Sequence, residues 1–380
     1  MRLQRARQSG VALLAALILM LAVVMVMGNI FYRHQIDITQ AAASVHSDQA
    51  LLLAMSGESW ARQLLSDQED DREVDSFDED WAQALPMLPV DGGMITGCIS
   101  DLQGRININS FADYTAESLQ QEIDADNSGL AIAWLRLLTQ LDLLADPSRV
   151  AQIIDWLDED SSLINSWGAE QADYDGLLSP RVPANSKITD ISELAAIKGY
   201  QVAEVQLLAP WLSALPQPTT ININTASQLL ITALTGTLSQ DIALLVMEQR
   251  PFDSIDEFHQ LIAKNTQLEL PEVQQRWSKE LISVNSNYFE LYLEVILGEA
   301  RIEVRSIMDR FERNEPVIIA RQLTFVPAAL PKPALSAAQA LFNSEADSGI
   351  LGDPEAESSA GANAGTNAMQ SACIMIGETN

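Results

Sequence analysis

Apolar residues occupy nearly every position from Val11 to Tyr32, a stretch of 22 positions near the N-terminus. A helix of that length would be about 33 Å long, which is enough to span a bilayer. A secretory signal peptide has a shorter apolar segment with a small-residue cleavage site directly behind it, whereas the first such site here lies near Ala41. Because no proline precedes Pro86 and apolar positions continue to recur, the pattern predicts that the helix continues to about residue 66 as a partly exposed stalk.

Alternating apolar and polar positions predict four strands. One strand is predicted at residues 94–103 and has no predicted partner nearby. The other three lie near the C-terminus, in the stretches "NYFELYLEVILG", "ARIEVRSIMDRF" and "PVIIARQLTFV". We therefore expect an α+β fold, in which an antiparallel sheet packs on the long N-terminal helix and a large all-α insertion separates the first strand from the others.

The insertion contains two related halves. "GRININSF" at 104–111 and "TTININTAS" at 219–227 share the motif I-N-I-N, each before an apolar helical pattern. The second half resembles SAM-like or helix-hairpin-helix modules, in which a glycine-rich hairpin offers N–H groups to DNA phosphate. Gly236 can serve as the first hairpin glycine, but Leu238 stands at the second, and Arg250 is surrounded by acids. We expect a protein-interaction scaffold here, with DNA binding as the disfavoured alternative.

The charge balance narrows the choice of partners. The chain carries 22 Lys and Arg against 52 Asp and Glu, a net charge of −30, which disfavours nucleic acid because phosphate binding depends on basic side chains. Arg2, Arg5 and Arg7 precede the apolar stretch, and no acid occurs before Asp37. This asymmetry predicts a single-pass membrane protein with a cytoplasmic N-terminus and its acidic body on the far side of the membrane.

An acidic loop at residues 153–176 is a candidate cation site. Calcium binds six to eight oxygens in flexible geometry, which such a loop can supply. The loop is not an EF-hand, since Leu163 stands where glycine is required, and a solvated acidic turn remains the alternative. The six carboxylates are Asp155, Asp158, Asp160, Glu170, Asp173 and Asp175.

The cysteines and histidines give weaker signals. Cys98 and Cys373 could form one disulfide, but their distance in sequence leaves the pairing open. The histidines, at positions 34, 46 and 259, have no neighbouring nucleophile or metal-ligand cluster. We therefore do not expect an enzyme.

The N-terminal layout resembles that of type IV prepilins and pseudopilins, which have a short basic leader ending in glycine before an apolar helix. The resemblance implies that a prepilin peptidase cuts after Gly10, so that Val11 begins the mature chain, and that the new terminus is methylated. Most pilin-like subunits carry glutamate at the fifth mature position, whereas this chain has Ala15. That glutamate is taken to meet the N-terminal amine of a neighbouring subunit, so an apolar residue suits a subunit at a filament tip.

Several motifs together resemble the K-type minor pseudopilins of type II secretion: "SGVALL", "DWLDED", "WGAEQADY", "PANSKITDISEL" and "ININTAS". The resemblance implies a calcium-stabilised pilin-like domain at the pseudopilus tip that initiates and caps assembly for export of folded proteins. The implied partners are the I-type and J-type minor pseudopilins, the prepilin peptidase, and other pseudopilus and inner-membrane secretion components. By motif position, calcium falls on Asp158, Asp160, Glu170 and Asp173, with Asp155 and Asp175 as weaker candidates. A minor type IV pilin for adhesion or DNA uptake is the alternative.

These inferences divide the chain into six segments. They are a leader at 1–10, a transmembrane and stalk helix at 11–66, the first part of the pilin-like domain at 67–104, the helical insertion at 105–282, the C-terminal strands at 283–326, and a disordered low-complexity tail at 327–380.

Overall fold

The computed structural model describes residues 9–66, 74–83, 85–125, 128–177, 179–236, 238, 240–311 and 315–326. The α-helices in chain order are α1 Ser9–Ser66, α2 Ala116–Ala125, α3 Leu130–Gln140, α4 Ser148–Leu157, α5 Gln171–Asp175, α6 Val202–Leu208, α7 Gln228–Thr235, α8 Gln240–Glu248, α9 Ile255–Asn265 and α10 Leu270–Arg276. The strands are β1 Leu85–Val90, β2 Gly93–Asp101, β3 Ile106–Asn107, β4 Leu212–Ser213, β5 Ile221–Asn222, β6 Ile282–Ser283, β7 Tyr288–Leu297, β8 Ala300–Asp309 and β9 Val317–Val326. Short 3₁₀ helices lie between them at Asp80–Ala82, Ile108–Asp113, Ile191–Ala196 and Ala209–Trp211.

The long strands form one antiparallel sheet in the order β1-β2-β7-β8-β9. The early predicted strand is β2, and it pairs along its whole length with β7, from Gly93 opposite Leu297 to Asp101 opposite Phe289. The predicted fold class, a long N-terminal helix with an antiparallel sheet and many helices, is confirmed.

The prediction that the early strand lacks a nearby partner is wrong, because β1 pairs with it directly. Pro86 and Pro89 lie within β1, and proline cannot donate a ladder hydrogen bond, so the segment does not resemble a strand in sequence. As an edge strand β1 tolerates both prolines, and its register shifts between Leu85 and Leu88.

The inner face of the sheet packs against the C-terminal third of α1. Small residues on the helix allow close approach: a Cβ atom added at Gly57 would lie 2.6 Å from Leu293 Cδ1. Glu58 on the same face is buried and accepts hydrogen bonds from Arg321 Nε and Nη2 on β9, both at 2.6 Å. Because a buried carboxylate is costly without a partner, this ion pair fixes α1 against β9.

The N-terminal half of α1 extends beyond the sheet. Its apolar side chains, from Leu13 to Tyr32, are 53–69 % exposed, and the helix is long and apolar enough to cross a membrane. Towards the C-terminus of α1, His46 lies beside Gly298 in the β7–β8 hairpin. Glu58, twelve residues further on, contacts Ser306 in β8, away from the hairpin. The apolar segment therefore leaves the sheet at its β7–β8 hairpin end.

Residues 106–284 form a second hydrophobic core, separate from the core beneath the sheet. This helical insertion leaves the sheet after Asp101 and returns at Tyr288, and the two residues lie at the same end of the sheet. That end is opposite the β7–β8 hairpin. The insertion and the exposed apolar segment of α1 therefore lie at opposite ends of the sheet.

The two halves of the insertion repeat one buried asparagine arrangement. Asn109 accepts a hydrogen bond from Ile188 N at 2.9 Å and donates to Ile188 O at 2.8 Å. Asn224 makes the same pair with Phe252, at 2.8 and 3.0 Å. Each I-N-I-N motif also begins a short parallel strand pair, β3 with β4 and β5 with β6. The shared sequence motif therefore corresponds to a shared structural unit.

A buried polar network connects the insertion to the sheet. The Oδ2 atom of Asp101, at the end of β2, accepts hydrogen bonds from Thr225 Oγ1 at 2.5 Å, Ser286 Oγ at 2.6 Å and Asn222 Nδ2 at 3.1 Å. Because these donors come from the second half of the insertion and its return segment, the carboxylate fixes the insertion to the end of the sheet.

Candidate cation site and membrane helix

The acidic loop lengthens one of the two repeated units. In the second half, α8 ends at Glu248 and the chain reaches the asparagine-bound Phe252 within four residues. In the first half, α4 ends at Leu157, and the equivalent Ile188 follows 31 residues later. The candidate site therefore lies on an added segment whose two ends are held by the repeated unit.

Asp155 fixes this added loop to α4. Its Oδ1 accepts a hydrogen bond from Ile164 N at 2.8 Å, and its Oδ2 accepts one from Ala169 N at 2.7 Å. A Cβ atom added at Gly168 would lie 1.9 Å from Asp155 Oδ2, so glycine is required for this close approach. Burial, more than any neighbouring group, raises the pKa of Asp155 to about 6.

Asp158, Asp160 and Glu170 converge beside Asp155. Each offers a carboxylate oxygen, and these three oxygens lie within 4.8 Å of one another. Both carboxylate oxygens of Glu170 and Oδ1 of Asp158 are buried, and no side chain among the described residues donates a hydrogen bond to them; Glu170 faces only backbone N–H groups at the start of α5. Burial, followed by the charge of Asp160, raises the pKa of Asp158 to about 6, and burial followed by Asp158 raises the pKa of Glu170.

This donor set fits a hard cation. Crowded carboxylates that lack hydrogen-bond donors are unfavourable unless a positive charge lies between them. Calcium accepts irregular sets of oxygen ligands. The buried oxygens of Glu170 and Asp158, to which no described side chain donates a hydrogen bond, are what such an ion would satisfy. The sequence-predicted ligands Asp158, Asp160 and Glu170 are thus brought together.

The remaining two predicted ligands have other partners. Asp173 accepts a hydrogen bond from Lys198 Nζ at 2.6 Å, and this bond lowers the pKa of Asp173. Asp175 accepts one from Gln171 Nε2 at 2.6 Å. Neither belongs to the three-residue cluster, and a direct role for either in cation binding stays a prediction.

Asn185 has a further side-chain oxygen of the kind that binds calcium, and it was not among the ligands predicted from the sequence. Its backbone has a positive φ of 43°, and its Nδ2 donates to the backbone oxygen of Asp160. Its Oδ1 atom is buried and accepts no hydrogen bond from the part of the chain that the structure describes. The signal in the sequence was the motif "PANSK", in which asparagine is a residue type that tolerates this conformation.

The other predicted residues lie apart from this cluster. Gly10 and Val11 fall in the first turns of α1, and Ala15 is an exposed position of its apolar segment. Cys98 lies on β2, whereas Cys373 lies outside the described residues, so their pairing stays a prediction. Most of the predicted leader and the whole predicted tail, residues 327–380, also lie outside the described residues.

The sequence of the chain is similar to that of a known protein family. Two family models described as type II secretion system protein K match residues 104–217 and 221–285. The type II secretion system protein K of Aeromonas hydrophila is 30 % identical over 329 residues, covering 83 % of this chain and 97 % of that protein. The protein K of Pseudomonas aeruginosa is 29 % identical over 336 residues, covering 84 % and 94 %.

A solved structure shares the fold. In the crystal structure of the GspK-GspI-GspJ complex from the enterotoxigenic Escherichia coli type 2 secretion system, one chain matches with a TM-score of 0.63 and 24 % identity. The match covers 75 % of this chain and 99 % of that one.

A long apolar N-terminal helix packed on an antiparallel sheet, with a helical insertion between strands, defines a pilin-like subunit. The motifs and the relatives make the assignment specific. The chain belongs to the type II secretion system protein K family, the minor pseudopilins of type II secretion.

Proposed function

We propose that this chain initiates and caps the pseudopilus, as the tip subunit of a complex with I-type and J-type minor pseudopilins. The solved relative is a GspK-GspI-GspJ complex, and this chain has the same fold. The proposed role is one of assembly, without covalent chemistry by the chain itself. Its outcome is the export of folded proteins across the outer membrane.

The observation that carries this proposal is the position of the insertion. The apolar segment of α1 leaves the sheet at the β7–β8 hairpin, near Gly298, and the insertion begins at the other end, after Asp101. When α1 spans the inner membrane, the insertion points away from it. A second subunit placed on the side away from the membrane would contact the insertion. In a pilin-like subunit without an insertion, the end of the sheet would lie at that position.

Ala15 supports the same position. A glutamate in the apolar segment would need a positive partner, because a carboxylate in the bilayer is costly when unpaired. Ala15 is an exposed residue of α1 and makes no such demand. A tip subunit has no subunit ahead of it to supply an amine, so the alanine fits a chain that starts the filament.

Calcium has a structural role in this proposal. Asp158, Asp160 and Glu170 would hold the ion, with Asn185 as a neutral oxygen donor. The ion would supply the positive charge that these carboxylates lack and would hold the added loop against α4. Asp155 continues to bind the loop backbone through Ile164 and Ala169.

Processing by a prepilin peptidase completes the proposal. Cleavage after Gly10 would release the basic leader and make Val11 the N-terminus, and methylation would follow. The chain would then lie in the inner membrane through residues 11–32, with its body in the periplasm.

A secretion assay in a deletion strain tests the proposal. Strains complemented with the wild-type chain or with Ala15→Leu should release folded exoproteins, because an apolar side chain is retained. Ala15→Glu, at equal abundance and with normal cleavage, should reduce release because its carboxylate finds no amine ahead of it. Normal release by Ala15→Glu would contradict the tip position. A deletion that leaves release intact but abolishes surface pili or DNA uptake would instead support a minor type IV pilin.

A further inference from the structure

The outer face of the sheet, opposite α1, is buried around the middle of β2. Thr96 and Cys98 on this face are 3 % and 6 % exposed, and Tyr292, opposite Cys98 on β7, is 5 % exposed. Further across the same face, Arg305 on β8 and Gln322 on β9 are exposed. The burial is therefore local to β2 and β7.

The described elements do not account for this burial. Helix α1 and the short helix Asp80–Ala82 pack on the inner face, with the core beneath the sheet. The insertion reaches the outer face at Tyr288, through Leu215. Within the described ranges, no helix packs across Cys98, and an open sheet face would leave such positions accessible.

A disulfide indicates which segment covers the face. Cys98 takes part in a disulfide, and the sequence contains one other cysteine, Cys373. Cys373 lies in "ACIMI", residues 372–376, an apolar run that follows small and polar residues at 353–371. An apolar run at the end of a polar tail is a segment suited to burial.

The chain is long enough for this return. Strand β9 ends at Val326, so residues 327–371 are available as a linker. A flexible chain of that length has a root-mean-square span of about 35–40 Å. The distance from β9 to β2 is three strand spacings, about 14 Å.

We propose that residues 372–376 bind the outer face of the sheet at β2 and β7, held by a Cys98–Cys373 disulfide. The bond forms when the two thiols give up two protons and two electrons to a protein disulfide of the thiol–disulfide exchange class, which leaves as two thiols. The occupant of this face is then the chain itself, and partner subunits bind elsewhere.

The test uses the full mature chain, purified in detergent. Tryptic digestion without reductant should give one linked pair, residues 73–105 with residues 322–380. Hydroxyl-radical footprinting should oxidise Tyr292 slowly in the intact chain and several-fold faster after deletion of residues 327–380. Tyr174, which is fully buried in the insertion, should stay protected in both and reports that the fold is intact.

Two further variants make the result specific. Deleting residues 353–369 shortens the linker but keeps the apolar run, so Tyr292 should stay protected. Replacing Ile374, Met375 and Ile376 with serine should expose Tyr292 even if the larger deletion misfolds. A Cys98 peptide that is free, or linked to a second molecule, overturns the proposal. An unchanged Tyr292 oxidation rate in both the deletion and the serine variant overturns it too, even when the disulfide is present.

Discussion

Removing calcium should lower the thermal stability of the folded body of the chain, and replacing Asp158 and Glu170 together with alanine should abolish that response. Three carboxylate oxygens at the site are buried and receive no side-chain hydrogen bond from the described residues. Each such oxygen costs about 1–3 kcal/mol when its partner is missing. An ion that satisfies them therefore stabilises the fold by several kcal/mol.

The expected shift in melting temperature follows from linkage. At a calcium concentration one hundred times the dissociation constant, a ligand that binds only the folded state adds about 2.7 kcal/mol. For a folded body of this size, 1 kcal/mol moves the melting temperature by about 2–4 °C. We therefore expect chelation to lower it by about 5–10 °C.

The assay compares melting curves in calcium and in EGTA for a chain that begins at about residue 35. Removing the apolar segment should leave the core intact, because burial on α1 begins near Ala50. Asp124→Asn is the matched control, since Asp124 is exposed on α2 and lies outside the cluster. Identical wild-type curves in calcium and EGTA, or a full EGTA response in the double alanine variant, would refute the reasoning.

Three further predictions concern other parts of the molecule. Gly10→Val should leave an uncleaved, inactive precursor by mass spectrometry, and a normal mature mass would exclude cleavage at this position. Arg321→Ala should destabilise the body by about 3 kcal/mol in urea unfolding, because it leaves Glu58 buried without its charge partner; a loss below about 1 kcal/mol would show that the pair is not structural. In EGTA, the wild-type chain should be more stable at pH 5 than at pH 7. This difference in stability should be larger for the wild type than for Asp158→Asn. The raised pKa of Asp158, about 6, means that its contribution is lost as pH rises through 6; equal pH profiles would contradict this.

Much of the fold could be predicted from the sequence because its strands alternate clearly. Apolar and polar positions alternate along much of β7, β8 and β9, so their assembly with β2 into one antiparallel sheet followed from the pattern. β1 was missed because Pro86 and Pro89 mask a strand whose edge position tolerates them. Whether a strand lies at the edge or in the centre of a sheet depends on the assembled sheet and cannot be predicted from a local sequence pattern.

The candidate site was predicted as a set of acids, but their separate roles depend on distant neighbours. Asp155 looks like a ligand in sequence, yet its oxygens bind backbone N–H groups of the returning loop. Asp173 pairs with Lys198, which lies 25 residues further along the chain. Asn185 was overlooked because a neutral side chain carries no charge signal, although the loop brings it against Asp160.

The position of the chain in assembled pseudopili shows whether it is the tip subunit. An epitope inserted after Leu144, an exposed residue between α3 and α4, can be labelled with gold and located on isolated filaments by electron microscopy. If the chain is the tip subunit, label lies at one end of each filament and none lies along its length. Label distributed along the filament would contradict a tip subunit.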